Sequence, residues 1–179
     1  MLLHDDVARL VPMDLSHVDF ITHIRTDWAN YEYFFDFHLA SNDQETEWIA
    51  RVTKDPSQAN FVIYPAHSTD QPAGTISLTS IDRRSRNAEY GRIFLSPQFR
   101  GGGIMQHASQ ILLRYAFDDL NLHKIYLRVF SDNERAIRLY RGLGFEEEGR
   151  LREHIYKDGQ YRDVTCMGIF RRGADDQLR

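Results

Sequence analysis

Cysteine is almost missing from this chain: Cys166 is the single one in 179 residues, which excludes an intrachain disulfide. It lies in the apolar run Val164 to Phe170, where a small buried hydrophobe is favoured over a reactive thiol, and a lone cysteine suits a reducing compartment. No apolar run approaches the ~18 residues of a membrane helix. The first residues, Met1 to Val11, carry Asp5 and Asp6 where a signal peptide would have its apolar core. The expectation is a soluble, cytoplasmic protein. Positive charge is also short, with a net charge of −4 and a pI of about 6.0, so a general affinity for nucleic acid or an anionic membrane is not expected and a cationic partner is easier to accommodate. Arg83, Arg84 and Arg86 form a basic triplet without interleaved aromatics, which reads as solvated surface. His4, His17, His23, His38, His67, His107, His123 and His154 show no metal-ligand spacing, so no metal is expected. Internal repeats, low-complexity blocks and linkers are lacking too.

What is present fits one α/β domain, with 42% hydrophobic and 27% charged residues. Val7 to Val11 reads as a strand, and Ser16 to Arg25 as a helix with Val18, Ile21 and Ile24 on one face. Trp28, Tyr31, Tyr33, Phe34, Phe35 and Phe37 then crowd together among Asp27, Glu32 and Asp36. Such a cluster either fills a core or walls a pocket for an amine. Ser41-Asn42-Asp43-Gln44 caps a helix reaching about Lys54. Asn60 to Tyr64 and Gly74 to Ile81 read as antiparallel strands, Asn87 to Leu95 as another and Lys124 to Phe130 as the next. Ser131-Asp132-Asn133-Glu134 reads as a capping box opening a helix that ends near Gly142 or Gly144. Phe145 to Tyr156 and Gln160 to Phe170 close the chain as a hairpin around Lys157-Asp158-Gly159, before a frayed tail.

The densest signal is Gln98-Phe99-Arg100-Gly101-Gly102-Gly103-Ile104-Met105, which joins a strand directly to an amphipathic helix from about Ile104 to Leu120. The first N–H groups of a helix have no intrahelical partner, and the helix dipole places partial positive charge there, so a phosphate docks on such a turn where glycines let it approach. No Gly-Lys-Ser/Thr follows and Gly-x-Gly-x-x-Gly is not present, which sets aside nucleotide P-loops and Rossmann turns. The pattern Gln-x-x-Gly-x-Gly in this context resembles the GNAT acyltransferase superfamily, whose turn binds the pyrophosphate of acetyl-CoA. Further motifs follow in the family's order: Ala88-Glu89-Tyr90, then Asn133 to Tyr140, then Gly142-Leu143-Gly144-Phe145. Glu148 to Arg152 with Lys157 to Asp163 is similar to the branch containing bacterial spermidine N-acetyltransferases and ribosomal-protein N-terminal acetyltransferases.

That resemblance implies a single domain over residues 1–170, α/β (α+β) in class, with a mixed, mostly antiparallel central sheet flanked by helices and splayed at the acetyl-CoA site. Residues 12–60 would serve the acceptor, residues 87–145 the acetyl-CoA core, and residues 171–179 would form a flexible tail. Acetyl-CoA is implied as co-substrate, held by Phe94, Leu95, Gln98, Arg100, Gly101, Gly102, Gly103, Ile104, Met105 and Asn133. Asn133 is equally explicable as a helix cap. Tyr140 matches the tyrosine that reaches the departing sulfur, and core packing is its ordinary alternative. An alkyl ammonium lies about three units above neutral pH, so supplying the free amine costs about 4 kcal/mol. Glu89 is either the base that accepts that proton or a structural acid paired with an arginine. The acceptor is expected to be a primary amine, first a polyamine such as spermidine, bound by Trp28, Tyr31, Glu32 and Asp36. A protein N-terminus and an amino-sugar nucleotide stay open as acceptors, as does a CoA-binding module without turnover. Related enzymes range from monomers to rings, so a homo-oligomer is among the expectations.

Overall fold

A computed structural model describes residues 3–35, 39–67 and 71–171. Strand β1 (Ala8–Pro12) enters a short 3-10 turn, Leu15–His17, which runs into helix α1 (Val18–Thr26). A second 3-10 segment, Trp28–Tyr33, precedes α2 (Asn42–Val52). Ser41 and Gln44 close the expected reciprocal cap there: the Gln44 N–H donates to Ser41 Oγ and the Ser41 N–H to Gln44 Oε1. Strands β2 (Ala59–Pro65), β3 (Gly74–Asp82) and β4 (Asn87–Leu95) follow, and the glycine turn leads into α3 (Ile104–Arg114), prolonged by a π-helical turn, Tyr115–Asp119. Strand β5 (Lys124–Phe130), α4 (Glu134–Gly142), β6 (Glu146–Lys157) and β7 (Gln160–Phe170) complete the chain. Asp158 and Gly159 both take positive φ in the tight β6–β7 turn, the backbone that a two-residue hairpin loop requires.

The strands form one seven-stranded sheet in the order β1-β2-β3-β4-β5-β7-β6, antiparallel except between β4 and β5. Alternation along β2 divides the core: Phe61 and Ile63 belong to the cluster that contains Ala108, Ile111 and Leu112 of α3, whereas Val62 packs with Ile21 of α1 and Ile49 of α2. Because neighbouring strand residues point to opposite faces, α3 covers one side of the sheet and α1 with α2 the other. Among the described residues no helix is long and apolar enough to cross a membrane.

The one parallel pair holds only from Asn87↔Lys124 to Glu89↔Tyr126. Beyond it β5 stays with β7 as far as Phe130↔Val164, while β4 continues against β3 through a register shift between Thr75 and Ser77. Arg92 sits in that shift with φ +51°, and Thr75 Oγ1 donates to its carbonyl at 2.8 Å. The bulge bends β4 away from β5 and opens the sheet. At its far end a Cβ on Gly74 would lie 2.1 Å from the Phe94 carbonyl oxygen, so only glycine allows the two strands to approach this closely.

Two sequence expectations change. Helix α4 is capped by Asn133, whose Oδ1 accepts the Ala136 N–H, not by a box starting at Ser131. Ser131 is still engaged with β7: its N–H donates to the Asp163 carbonyl and its hydroxyl pairs with Thr165, so the helix begins two residues later. Cys166 is half-buried, because it stands between Arg128 and Gly149 in the sheet, an exposed arginine and a residue with no side chain to cover it. Of the expected tail over residues 171–179, Arg171 is held by its N–H to the His123 carbonyl at 2.8 Å, and residues 172–179 lie outside the described residues.

Candidate active site

The opening between β4 and β5 is the mouth of a cavity of about 930 Å³, walled by the splayed strands, the start of α3, α4 and the acceptor-side helices. That volume suits a sizeable ligand. Arg100, Gly101, Gly103, Ile104 and Met105 line it on one side, with Phe94 and Leu95 along β4 and Asn133 and Tyr140 on α4. Gln98 lines a small neighbouring cavity instead, and Gly102 stands in the turn away from the lining.

The turn fits a pyrophosphate. Gly101 and Gly103 take φ of +90° and +75°, which only glycine adopts freely, and no atom stands within 4 Å of where a Cβ of Gly101 or Gly102 would be. The first intrahelical bond of α3 is from the His107 N–H to the Gly103 carbonyl at 3.1 Å, so the N–H groups before it face the turn without a helical acceptor. Arg100 bends back, its Nε donating to the Leu95 carbonyl at 3.1 Å, which ties the turn to the end of β4. Arg135 adds a second guanidinium from the first turn of α4.

Tyr140 is buried beside Tyr90 and Phe145, with ring centroids 6.0 Å away in both cases. Burial pushes its phenol well above the ordinary tyrosine value. It therefore stays protonated and is a donor throughout the physiological range. Tyr90 is raised more strongly by burial, with Tyr140 adding to the effect, and its hydroxyl pairs with Ser109 at 2.5 Å. Glu89 stands at the last parallel rung, where the strands part; Arg128 Nε donates to its Oε1 at 2.9 Å, and both line the cavity. The side chain of Glu89 is 20% exposed, so the ion pair does not seal it from water.

The acceptor side differs from the sequence expectation. Trp28, Tyr31 and Glu32 are not in the lining. Trp28 stacks on Tyr31 at 4.7 Å and is 69% exposed. Tyr31 is turned toward the β6–β7 turn, where its phenol bonds Asp158 and its ring lies 4.0 Å from Lys157 Nζ. Buried Lys157 also donates to the carbonyls of Tyr31 and Phe34. Asp36 lies outside the described residues. The lining here includes Phe34 and Phe35, members of the expected aromatic cluster, together with Arg25, Glu45, Trp48 and Arg51, which the sequence reading did not single out. One signal for them was available: Glu45 shares the buried face of α2 with Ile49 and Val52, and a carboxylate on a core stripe at helical spacing calls for a partner. That partner is Arg25, 3.2 Å away. Among the described residues no group of side chains could hold a metal ion.

A protein-family comparison matches residues 8–146 to the acetyltransferase (GNAT) domain. The chain belongs to the GNAT acetyltransferase family. This acetyltransferase is 30% identical to the spermidine N(1)-acetyltransferase of Escherichia coli K12 over 91% of its own length and 86% of the relative's. It is 33% identical to the Vibrio cholerae spermidine N(1)-acetyltransferase over 88% and 89% of the two chains. Among solved structures, spermidine N-acetyltransferase from Vibrio cholerae in complex with CoA and spermine superposes with a TM-score of 0.86 at 31% identity, covering 93% of this chain and 96% of that one. A putative ribosomal N-acetyltransferase of Bacillus subtilis is 32% identical over 55% of the chain. The single domain with a splayed, mostly antiparallel mixed sheet is that of the family, and the GNAT enzyme uses acetyl-CoA.

Proposed function

We propose that this enzyme acetylates a small primary amine, with a polyamine such as spermidine as the first acceptor class. The observation that carries the reading is the cavity where β4 and β5 part, because it brings the phosphate-binding turn, the Tyr140 hydroxyl and the Glu89 carboxylate to one space. Acetyl-CoA supplies the acetyl group as a thioester. The turn from Arg100 to Gly103 holds the pyrophosphate, the free edge of β4 at Phe94 and Leu95 receives the pantetheine arm, and Asn133 offers its amide N–H₂ beside that arm while its Oδ1 caps α4. Tyr140 donates a hydrogen bond to the sulfur as negative charge develops there, an interaction stronger in the transition state than before it. Glu89 takes the ammonium proton, directly or through water. For a polyamine, the carboxylates facing the cavity are Glu45 and Glu89. Acetyl-CoA is made and spent inside cells, so this reading places the enzyme in the cytoplasm.

The test follows thiol release from acetyl-CoA with spermidine, an N-terminal peptide and an amino-sugar nucleotide in parallel. Release with spermidine and not with the peptide is the expected result. CoA binding without release for any amine would reduce the protein to a CoA-binding module.

A further inference from the structure

Lys157 closes β6 with its side chain turned inward, 5% exposed. The tip of a hairpin is where a lysine most easily keeps its ammonium in water, so burial there calls for partners. Burial is the first cause that disfavours the charged form of Lys157, and Arg162 adds to it, while Asp158 and Glu32 favour the charge. Main chain from the far side of the sequence supplies the bonds: Nζ donates to the carbonyls of Tyr31 and Phe34. It also stands 4.0 Å from the centre of the Tyr31 ring and 5.5 Å from that of Phe130, within reach of cation–π attraction. Packing alone would be met by an apolar side chain. What lysine adds is a charge and three N–H donors.

The segment so gripped carries the aromatic wall of the acceptor side. Trp28–Tyr33 is a short 3-10 stretch whose Trp28 and Glu32 are exposed, and its last turn closes through a long bond, from the Phe34 N–H to the Tyr31 carbonyl at 3.4 Å. Phe34 and Phe35 follow directly, and both line the cavity. The Phe34 ring stacks toward Phe94 of β4 at 6.3 Å, and the Phe35 ring meets Phe130 of β5 edge-on at 4.6 Å. Phe130 is in turn covered by Arg162 of β7, whose guanidinium carbon lies 3.9 Å from the ring centre. Beside Lys157, Asp158 takes the Tyr31 phenol. The hairpin turn therefore holds the backbone that carries both wall rings by two carbonyls and one hydroxyl, and Lys157 itself stays out of the cavity lining.

Resting on the amine-acetylation reading, we infer that Lys157, with Asp158 beside it, is a positioning residue for the acceptor: it clasps the backbone of residues 31–34 to the β6–β7 turn and so sets Phe34 and Phe35 as the wall against which a polyamine lies. The rings suit both parts of such a molecule, since methylene groups pack on an aromatic face and ammonium groups are attracted to it. Lys157 touches neither substrate. Its effect reaches the amine through the placement of the wall, and the glycine turn that serves acetyl-CoA is carried by other elements, β4 and α3.

Lys157→Met keeps the apolar stem and removes every donor, so it separates the clasp from packing. With spermidine as acceptor, KM is expected to rise about tenfold while kcat changes by less than about twofold and the KM of acetyl-CoA stays constant. Amide hydrogen exchange gives a second readout: residues 28–35 should exchange faster in Lys157→Met, and residues 100–107 at the glycine turn should not. An unchanged spermidine KM in a folded Lys157→Met protein overturns the inference, as does an equal rise in the KM of both substrates. If Lys157→Met does not melt cooperatively, Tyr31→Phe decides in its place, because it deletes only the bond to Asp158. A spermidine KM raised about twofold or more together with faster exchange at residues 28–35 supports the clasp, and wild-type values of both overturn it. Those failures leave amine acetylation standing. Absence of thiol release from the wild-type enzyme with any amine overturns that reading and this inference with it.

Discussion

Burial raises the Tyr140 phenol far above the range in which a thiol ionises, so proton transfer from it to a departing thiolate is uphill, and the role proposed for it is that of a hydrogen-bond donor. Tyr140→Phe keeps the ring against Tyr90 and Phe145 and deletes only that donor. It should lower kcat by about tenfold or more, roughly 1.4 kcal/mol, with acetyl-CoA affinity unchanged; equal turnover would leave the residue a packing role. Glu89 needs a different test because Arg128 is its partner. If Glu89 accepts the amine proton, Glu89→Gln loses most rate at low pH, where the acceptor is almost fully protonated, and Arg128→Gln does not reproduce that profile. Matching, pH-independent losses in the two variants would make the pair structural.

At the scale of elements, the glycine turn is where sequence and structure agree most directly. Gly103 is both the N-terminal cap of α3 and a left-handed residue, with open space in front of it apart from His107 Cδ2 at 3.7 Å from a virtual Cβ. Gly103→Val is therefore disfavoured by its backbone conformation, and the β-branched side chain would stand where a phosphate approaches. Calorimetry should show CoA binding weakened by about tenfold or more in a protein that still melts cooperatively, and unaltered affinity would remove the phosphate from this turn. Such turns are legible because they are local: residue type and φ coincide within a few positions. The elements of the hairpin, α2 with its Ser41 cap and all seven strands were legible for the same reason. Acceptor-side lining was not, since Arg25, Glu45, Trp48 and Arg92 come from three elements and meet only when α1 and α2 lie across β4. The aromatic run at Trp28 to Phe35 showed the limit from the other side. Its composition resembles a pocket wall, and Phe34 and Phe35 do line the cavity, yet Tyr31 is drawn to the β6–β7 turn by Lys157 and Asp158, a pairing across 126 positions in sequence that no local pattern announces.

Across the whole molecule, carboxylates bind distant parts of the chain and set its acid limit. Burial alone would raise the pKa of Asp5, but N–H donors from Ala8 and Val7 and the imidazole of His107 outweigh it and hold the carboxyl below its ordinary value of 3.8. Asp163 is lowered in the same sense, first by the Glu153 N–H and with help from Arg150. A depressed folded-state pKa gives stability that is complete above the unfolded value and lost as pH falls through the folded one. The melting temperature should therefore drop as pH is lowered past about 4, and Asp5→Asn should flatten part of that drop, because it removes the titration that links β1 to α3 through His107. A parallel fall in both proteins would assign the acid sensitivity elsewhere. Arg92 carries a different kind of consequence. One residue sits in the bulge that opens the sheet and also lines the cavity, so a change there touches two features at once. Any backbone adjustment that follows its replacement reaches the gap between β4 and β5 as well as the cavity wall. Changes confined to the cavity wall are instead expected to be tolerated on α2, where Gln44 and Arg51 face the same cavity without shaping the sheet.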